Sequence, residues 1–317
     1  MVTTAGAGVD LLLALGLPVE VKTFADADIA GRHARLRVRQ TPPSPSMVAA
    51  DRGGDVVVYV IPRLTESLAR IAETDPSVAV VATDEGVVIW DTERFASATT
   101  PTEPAPTRGR MPWARFGLLR SLVRTRRPRT QIEIASETGV TQAAVSQNLK
   151  RMPDLATRTS TGWVANDPAR VAASFLEEYP GPGGIAQYWY GIDPVVRQAS
   201  MAARAGVDCL LSGDAAADLV APWRTPRTAI VYARSGLKLA PLGFAEAARE
   251  KGTLAVIVPA DPTIWPLAAA YAGGWDAPSN ADPLLCAYDI RTSGGADADQ
   301  ASERLVQLVL ARWSRGD

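Results

Sequence analysis

Residues 128–152 constrain the fold more than any other part of this chain, because they carry the start and stop signals of two short helices. Thr130 followed by Glu133 is the pattern of a capping box, which begins a helix. Gly139 lies where that helix must end and the chain must reverse with a positive φ. Thr141 is a suitable N-cap for a second helix. The sequence therefore predicts two helices joined by a tight turn.

Apolar residues around this turn are spaced to close a small core. The positions that match the helix-turn-helix spacing are Ala135, Gly139, Val145 and Leu149. One face of a preceding helix is marked by Trp113, Phe116, Leu119 and Val123. Downstream, residues 156–158 and 163–165 flank a turn and predict a β-hairpin. The stretch 113–166 therefore resembles the winged helix-turn-helix of bacterial transcription regulators, which implies binding to double-stranded DNA.

Positive charge is concentrated in the same part of the chain. The 317 residues have a net charge of −1, yet residues 108–151 hold ten arginines and lysines against two glutamates. This window carries +8, which leaves −9 for the remainder. Such an asymmetry is typical of a protein in which one module meets phosphate.

A helix in the major groove reads base edges with its N-terminal and outward-facing residues. On the second helix, which the sequence places at 141–152, these are Thr141, Gln142, Ala143, Ser146, Gln147 and Lys150. Glutamine suits adenine, and Ala143 suits a thymine methyl group. The residues predicted to contact phosphate are Arg127, Arg129, Lys150 and Arg158, with Arg158 on the wing. Thr130 completes the predicted DNA-binding set.

The residues before this module predict a small α/β domain at 1–96. Helical spacing at 10–15 and 64–71 and strand patterns at 19–24, 34–39, 56–61, 78–81 and 87–90 predict the order α-β-β-β-α-β-β. This order resembles restriction-endonuclease-like folds, whose catalytic strands carry acids and a lysine. The apolar strand 56–61 has neither, and Glu20 and Lys22 are expected to form an exposed ion pair. Prolines at 97–112 predict an extended linker.

Residues 167–317 predict another α/β domain. A helix is expected at 170–178, strands at 207–211, 229–233 and 254–258, and an amphipathic closing helix at 298–313. The turn Ser212-Gly213, followed by a helix that Asp214 is expected to cap, resembles the nucleotidyltransferase core. In that core the next strand carries two metal-binding acids, but residues 229–233 hold none.

With the winged helix attached, residues 113–312 resemble the AbiEi-like regulators of abortive-infection type IV toxin–antitoxin systems. The segments that carry this resemblance are 212–216, 230–232 and 287–291. The resemblance implies a DNA-binding regulator whose C-terminal domain is a catalytically silent partner or ligand domain. The additional domain at 1–96 departs from that family.

An aromatic cluster beside the Pro/Gly-rich residues 180–184 leaves two interpretations open. Its members are Tyr179, Tyr188, Trp189 and Tyr190. These side chains suit either core packing or the lining of a ligand pocket.

Several function classes have few residues to support them. The chain has one histidine, His33, and two cysteines with no CxxC pattern, so neither a zinc site nor a nucleophilic triad is predicted. Cys209 and Cys286 lie in apolar runs, as expected for buried thiols in a reducing cytoplasm. No apolar run is long enough to span a membrane. The sequence predicts a cytoplasmic protein without cofactor, metal or catalytic residues, and hence not an enzyme.

These patterns together predict an α/β multidomain protein that regulates transcription by binding double-stranded DNA. A homodimer, and a protein or small-molecule partner at the C-terminal domain, remain open. Two alternatives also remain. The first is a protein-interaction, antitoxin-like module for which DNA binding is secondary. The second is a metal-dependent nuclease or nucleotidyltransferase, in which Glu20 or Asp214 would be needed for activity.

Overall fold

The computed structural model describes residues 3–96, 111–272 and 280–316. Within these ranges the chain is a mixed α/β protein with sheets of seven, five and two strands, so the predicted α/β class is confirmed. The linker predicted at 97–112 lies outside the described residues except for its last two positions.

The seven-stranded sheet is built by the residues before 97, and its strands follow one another in chain order. They are β1 (Val19–Val21), β2 (Asp26–Ile29), β3 (Arg32–Val38), β4 (Val56–Ile61), β5 (Val78–Ala82), β6 (Val87–Trp90) and β7 (Glu93–Ala96). Strand β4 is parallel to both β3 and β5, and the other neighbouring strands of this sheet pair antiparallel. Two short helices, α2 (Pro45–Asp51) and α3 (Glu66–Ala72), make the crossovers that parallel strands require, and α1 (Ala5–Ala14) precedes the sheet.

Both faces of β4 are buried, which explains its continuous run of apolar residues. Because side chains alternate along a strand, Val58 and Val60 pack in one core with Leu12 of α1. Tyr59 packs on the opposite side in a second core with Leu68 of α3. The sheet is therefore a central layer between helices.

The predicted order of elements in this domain was incomplete. All five predicted strands are present, but β2, β7 and α2 were missed. The strand β2 is short and half acidic, with only Ala27 and Ile29 buried, so its apolar pattern is too brief to recognise. The strand β7 lies at the sheet edge and exposes Glu93 and Arg94, so it has no buried face to leave a pattern.

The middle of the chain forms three helices and a hairpin. These elements are α4 (Trp113–Leu122), α5 (Gln131–Thr138), α6 (Gln142–Lys150), β8 (Ala156–Arg158) and β9 (Trp163–Ala165). The strands β8 and β9 pair antiparallel. As predicted, Phe116, Leu119 and Val123 are buried, and Trp113 is half-buried against the same core.

The five-stranded sheet has the order β11-β12-β14-β10-β13. Its strands are β10 (Ile185–Tyr190), β11 (Leu210–Ser212), β12 (Ala229–Tyr232), β13 (Ala245–Glu246) and β14 (Leu254–Val258). Only the pairing of β12 with β14 is parallel among these five. The accompanying helices are α7 (Pro168–Glu178), α8 (Val195–Ala205), α9 (Gly213–Val220), α10 (Ile264–Tyr271), α11 (Pro283–Ser293) and α12 (Ala298–Arg315).

The strand predicted at 207–211 is shorter than expected. Val207 is 81% exposed and Asp208 has a positive φ of 54°, so the strand begins only at Leu210. The prediction also missed β10, β13, α10 and α11. Residues 185–190 were interpreted only as an aromatic cluster, although they form β10 next to the centre of the sheet.

The three-helix segment and the C-terminal sheet share one hydrophobic core. This core runs from Phe116 in α4 to Val309 in α12. The helix α5 packs on α10, and α4 packs on α7. The module that holds α6 is therefore attached to the C-terminal part of the chain along a continuous apolar interface.

Candidate nucleic-acid interface

The turn between α5 and α6 forms through the signals that the sequence predicts. The Thr130 hydroxyl accepts from the backbone N–H of Glu133 at 3.2 Å, and the Glu133 carboxylate accepts from the N–H of Thr130 at 2.7 Å, which completes the capping box. Gly139 ends α5 with a φ of 69°. Thr141 caps α6 by accepting from the N–H of Ala144 at 3.2 Å.

The two faces of α6 differ in exposure. Val145 and Leu149 are 1% exposed and hold the helix on the core. The opposite side is open: the exposed residues are Thr141, Gln142, Ala143, Gln147 and Lys150, and Ser146 is half-buried. All six predicted base-reading residues therefore lie on or beside one accessible helix face.

The hairpin β8–β9 is fastened to the residues that precede α5. Arg129 and Trp163 exchange two backbone hydrogen bonds, of 3.1 and 2.8 Å. Gly162 permits this close approach, because a Cβ atom there would lie 2.5 Å from the backbone of Arg129. Arg158 is exposed at the end of β8, opposite Trp163 in the strand pairing. The hairpin thus carries a free cation beside the helical module.

The prediction that Arg129 contacts phosphate is wrong, because this side chain is fully buried. It forms an ion pair of 2.6 Å with Glu137 and donates to the backbone carbonyl of Ser121 at 2.8 Å. Arg124 pairs with the other oxygen of Glu137, also at 2.6 Å. Although burial acts to raise it, these two arginines hold the pKa of Glu137 below its usual range. Arg129 joins α4 to α5 from the inside.

The two neighbours of Arg129 in the predicted set lie at the surface. Arg127 is 69% exposed and makes a 3.1 Å ion pair with Glu133. Such an exposed pair is weak and leaves the guanidinium accessible to a phosphate. Thr130 is exposed too, but its hydroxyl also donates to Glu133 at 3.0 Å, so that it is engaged within the capping box.

Other arginines of the basic window are also paired with carboxylates. Arg115 pairs with Glu178 at 2.7 Å, and Arg120 is fully buried between Asp261 at 3.0 Å and Asp282 at 2.7 Å. Arg108 and Arg110 lie outside the described residues. Among the described residues, the exposed cations of the window are Arg126, Arg127, Lys150 and Arg151, and Arg158 on the hairpin adds a fifth. The charge available to a ligand is therefore smaller than the charge counted in the sequence.

The Arg120 cluster is the part of this region that the sequence analysis missed. Arg120 donates to the Thr263 hydroxyl as well as to both aspartates, and Tyr179 donates to Asp261 at 2.9 Å. Burial is the first influence on the Arg120 pKa and acts to lower it, but the two aspartates hold that pKa above its usual value. The partners are more than 140 residues apart in the chain, so no local spacing signals them.

The positions considered for catalysis do not assemble a metal site. Glu20 and Lys22 form the expected ion pair, at 2.6 Å, with both side chains substantially exposed. Asp214 does not cap α9 as predicted but pairs with Arg224 at 2.7 Å and accepts from the N–H of Arg227. In the part of the chain that the structure describes, no three His, Cys, Asp or Glu side chains are placed to hold a metal ion.

Both cysteines are buried and unpaired, as the sequence predicts. Of the aromatic residues near 180–184, Tyr179 and Trp189 are buried, Tyr190 is exposed, and Tyr188 lines a cleft on the second sheet. Of the two interpretations of this aromatic cluster, core packing is therefore correct for Tyr179 and Trp189, and pocket lining for Tyr188.

Comparisons of the chain with known protein families, curated proteins and solved structures found no match. Among residues 3–96, 111–272 and 280–316, no helix has the length and apolar character needed to cross a membrane.

Proposed function

We propose that this protein is a transcriptional regulator that binds duplex DNA by placing α6 in the major groove. The observation that carries the proposal is the accessible face of α6, which presents Gln142, Ala143 and Gln147 outward while Val145 and Leu149 anchor the helix. We interpret α4–α6 with the hairpin β8–β9 as a winged helix-turn-helix.

The side chains on this face suit the chemistry of base edges. Gln142 and Gln147 each carry a donor and an acceptor that match adenine N7 and N6. Ala143 is small enough to meet a thymine methyl group, and Ser146 pairs with several edges. Arg127, Lys150 and Arg158, in three parts of the same module, are exposed and supply positive charge for phosphate contacts.

We further infer that the C-terminal sheet is a nucleotidyltransferase-like domain without catalytic acids, and that the first domain has a restriction-endonuclease-like topology. The support for the former is the order β11, turn, α9, β12, together with a strand β12 that reads Ala-Ile-Val-Tyr. In this proposal the domain holds a partner or ligand, as the AbiEi-like resemblance implies, and performs no reaction.

The test is selection of bound duplexes from a random DNA pool at about 150 mM salt, followed by sequencing. An enriched motif is expected, and an inverted repeat within it would identify a two-fold dimer. Absence of binding at this salt concentration and at about 50 mM would refute the proposal.

Variants separate base reading from phosphate binding. The double variant Gln142→Ala/Ser146→Ala should flatten the sequence preference and leave the salt dependence unchanged. Gln307→Ala, an exposed substitution on α12, is the matched control and should change neither. If Gln142→Ala/Ser146→Ala instead reduced binding to all sequences equally, α6 would not be the reading element.

A further inference from the structure

A cleft of about 630 Å³ opens on one face of the five-stranded sheet. Its floor comes from the three strands β12, β14 and β10. Ile230, Ala255 and Tyr188 pair across these strands in one row, and Ile257 and Ala186 form the next row. Because alternate residues of a strand share a face, the five side chains lie on the same side of the sheet. The alanines keep this floor low between bulkier neighbours.

Two walls rise from this floor. One is the loop 180–184, in which Gly184 has a φ of 85° and lies so close to β14 that a Cβ atom would be 2.0 Å from the Val258 carbonyl oxygen. The other is α11, which contributes Tyr288. A Cβ atom placed on Gly181 of the loop would lie 3.2 Å from the Tyr288 hydroxyl oxygen. The loop and the Tyr288 ring therefore lie next to each other at the edge of the cleft.

Asp289 lines this cleft although it is only 3% exposed. Its Oδ2 atom accepts from the hydroxyl of Ser212 at 2.6 Å and from that of Tyr232 at 2.8 Å. Neither bond uses Oδ1, and no described residue bonds that oxygen. Burial leaves the Asp289 carboxyl poorly solvated and raises its pKa to about 7. The carboxyl therefore gains from a hydrogen-bond donor.

The size of the cleft is that of small-molecule sites, and its apolar floor is combined with the buried acceptor Asp289 and with the hydroxyl residues Thr228, Thr292 and Ser293. We propose that this cleft binds a planar heteroaromatic molecule that carries an amino group. The rings lie on the floor formed by Ala186, Ala255 and Ile257, beside Tyr288. The amino group donates to Oδ1 of Asp289. Charged residues occur at the rim, where Arg249 and Glu250 are exposed.

The shape and charge of the cleft select this chemistry. A flat ring covers the low sheet face and removes apolar surface from water, which contributes about 25 cal/mol per Å² buried. When Asp289 is ionised, above its raised pKa, it prefers a ligand with an N–H donor, because hydrogen bonds to a charged acceptor are about twice as strong as neutral ones. An anionic group at the same place would be repelled. This site goes beyond the DNA-binding role and does not depend on it.

The experiment is an NMR titration of the full chain at about pH 8, where Asp289 is mostly ionised, with isoleucine methyl groups labelled. The probe is 2-aminobenzimidazole, and benzimidazole is the matched compound without the amino group. The methyl signals of Ile230 and Ile257 are expected to shift, and that of Ile134, buried in the three-helix segment, is expected to stay in place. Benzimidazole should bind at least about tenfold more weakly, the effect of one charge-assisted hydrogen bond.

Two variants test the acceptor and the floor separately. Asp289→Asn should weaken the probe about tenfold, whereas Asp299→Asn, exposed on α12, should not. Ala255→Leu should abolish the shifts by filling the cleft, whereas Ala311→Leu on the exposed side of α12 should not. The proposal is overturned if Ile230 and Ile257 do not respond, if both compounds bind equally, or if Ala255→Leu binds the probe normally. None of these readouts involves DNA.

Discussion

Replacing Arg120 by methionine should destabilise the protein far more than the loss of any exposed ion pair. The Arg120 side chain and both of its aspartate partners are completely buried. Methionine fills most of the volume but leaves Asp261 and Asp282 without their cation. Removing one member of a buried ion pair costs about 3–5 kcal/mol, because the remaining charge stays buried and unpaired. Here two carboxylates are left, so the loss should lie at the upper end of that range.

Arg115→Met is the matched control, since Arg115 lies on the same helix and pairs with Glu178 at the surface. Exposed pairs contribute about 0.2–1 kcal/mol. Both variants would be unfolded in urea and followed by tryptophan fluorescence, with the free energy of unfolding compared with that of the wild type. A loss for Arg120→Met no larger than that for Arg115→Met would refute the assignment of Arg120 as a buried structural cation.

Three further predictions concern single residues. Gly139→Ala should reduce the free energy of unfolding by more than about 1–2 kcal/mol, because the added Cβ would lie 2.6 Å from Pro266, in addition to the cost of a left-handed residue. Gly16→Ala has a similar φ but open space around its Cβ, so it should lose less stability in the same urea assay. Arg127→Ala should weaken DNA binding on all sequences alike. If the five exposed cations each contact a phosphate, the slope of log K against log salt concentration should be about −4.5, and the variant should make it less steep by about 1, as measured by competition binding at several salt concentrations. Burial raises the pKa of Asp289 from 3.8 to about 7, so the folded protein holds this proton more tightly than the unfolded chain. The free energy of unfolding should therefore fall as the pH rises from about 4 to 7, and Asp289→Asn should remove that part of the fall when urea unfolding is measured at several pH values.

The local parts of the fold could be predicted because their causes are local. The helix α5 begins at a capping box and ends at Gly139, and both signals lie within ten residues of each other. The strand β4 was recognisable because both of its faces are buried, which requires an unbroken apolar run. The exposed face of α6 followed from the inward positions of Val145 and Leu149.

The parts that could not be predicted depend on contacts between distant residues. The basic window predicted a strongly positive surface, but Arg120 is neutralised by two aspartates more than 140 residues away. Arg129 is neutralised by Glu137, which is nearer in the chain but meets it only where α5 packs on α4. Charge counts in a sequence do not distinguish such arginines from Arg158, which stays exposed. The cleft near Asp289 has the same origin, since its floor combines residues of β10, β12 and β14 that lie far apart in the chain.

The position of the buried charges explains how α6 is held relative to the C-terminal sheet. Asp282 uses Oδ1 to cap α11, accepting from the N–H of Leu285 at 3.2 Å, and uses Oδ2 to bind Arg120. Asp261 likewise accepts from the N–H of Thr263 with one oxygen and from Arg120 with the other. Arg120 therefore bonds α4 to the start of α11 and to the turn before α10. These directional bonds add to the apolar packing of α4 and favour one arrangement of this helix on the surface below it. Because α5 packs on both α10 and α6, these contacts also orient the outward face of α6 relative to the five-stranded sheet.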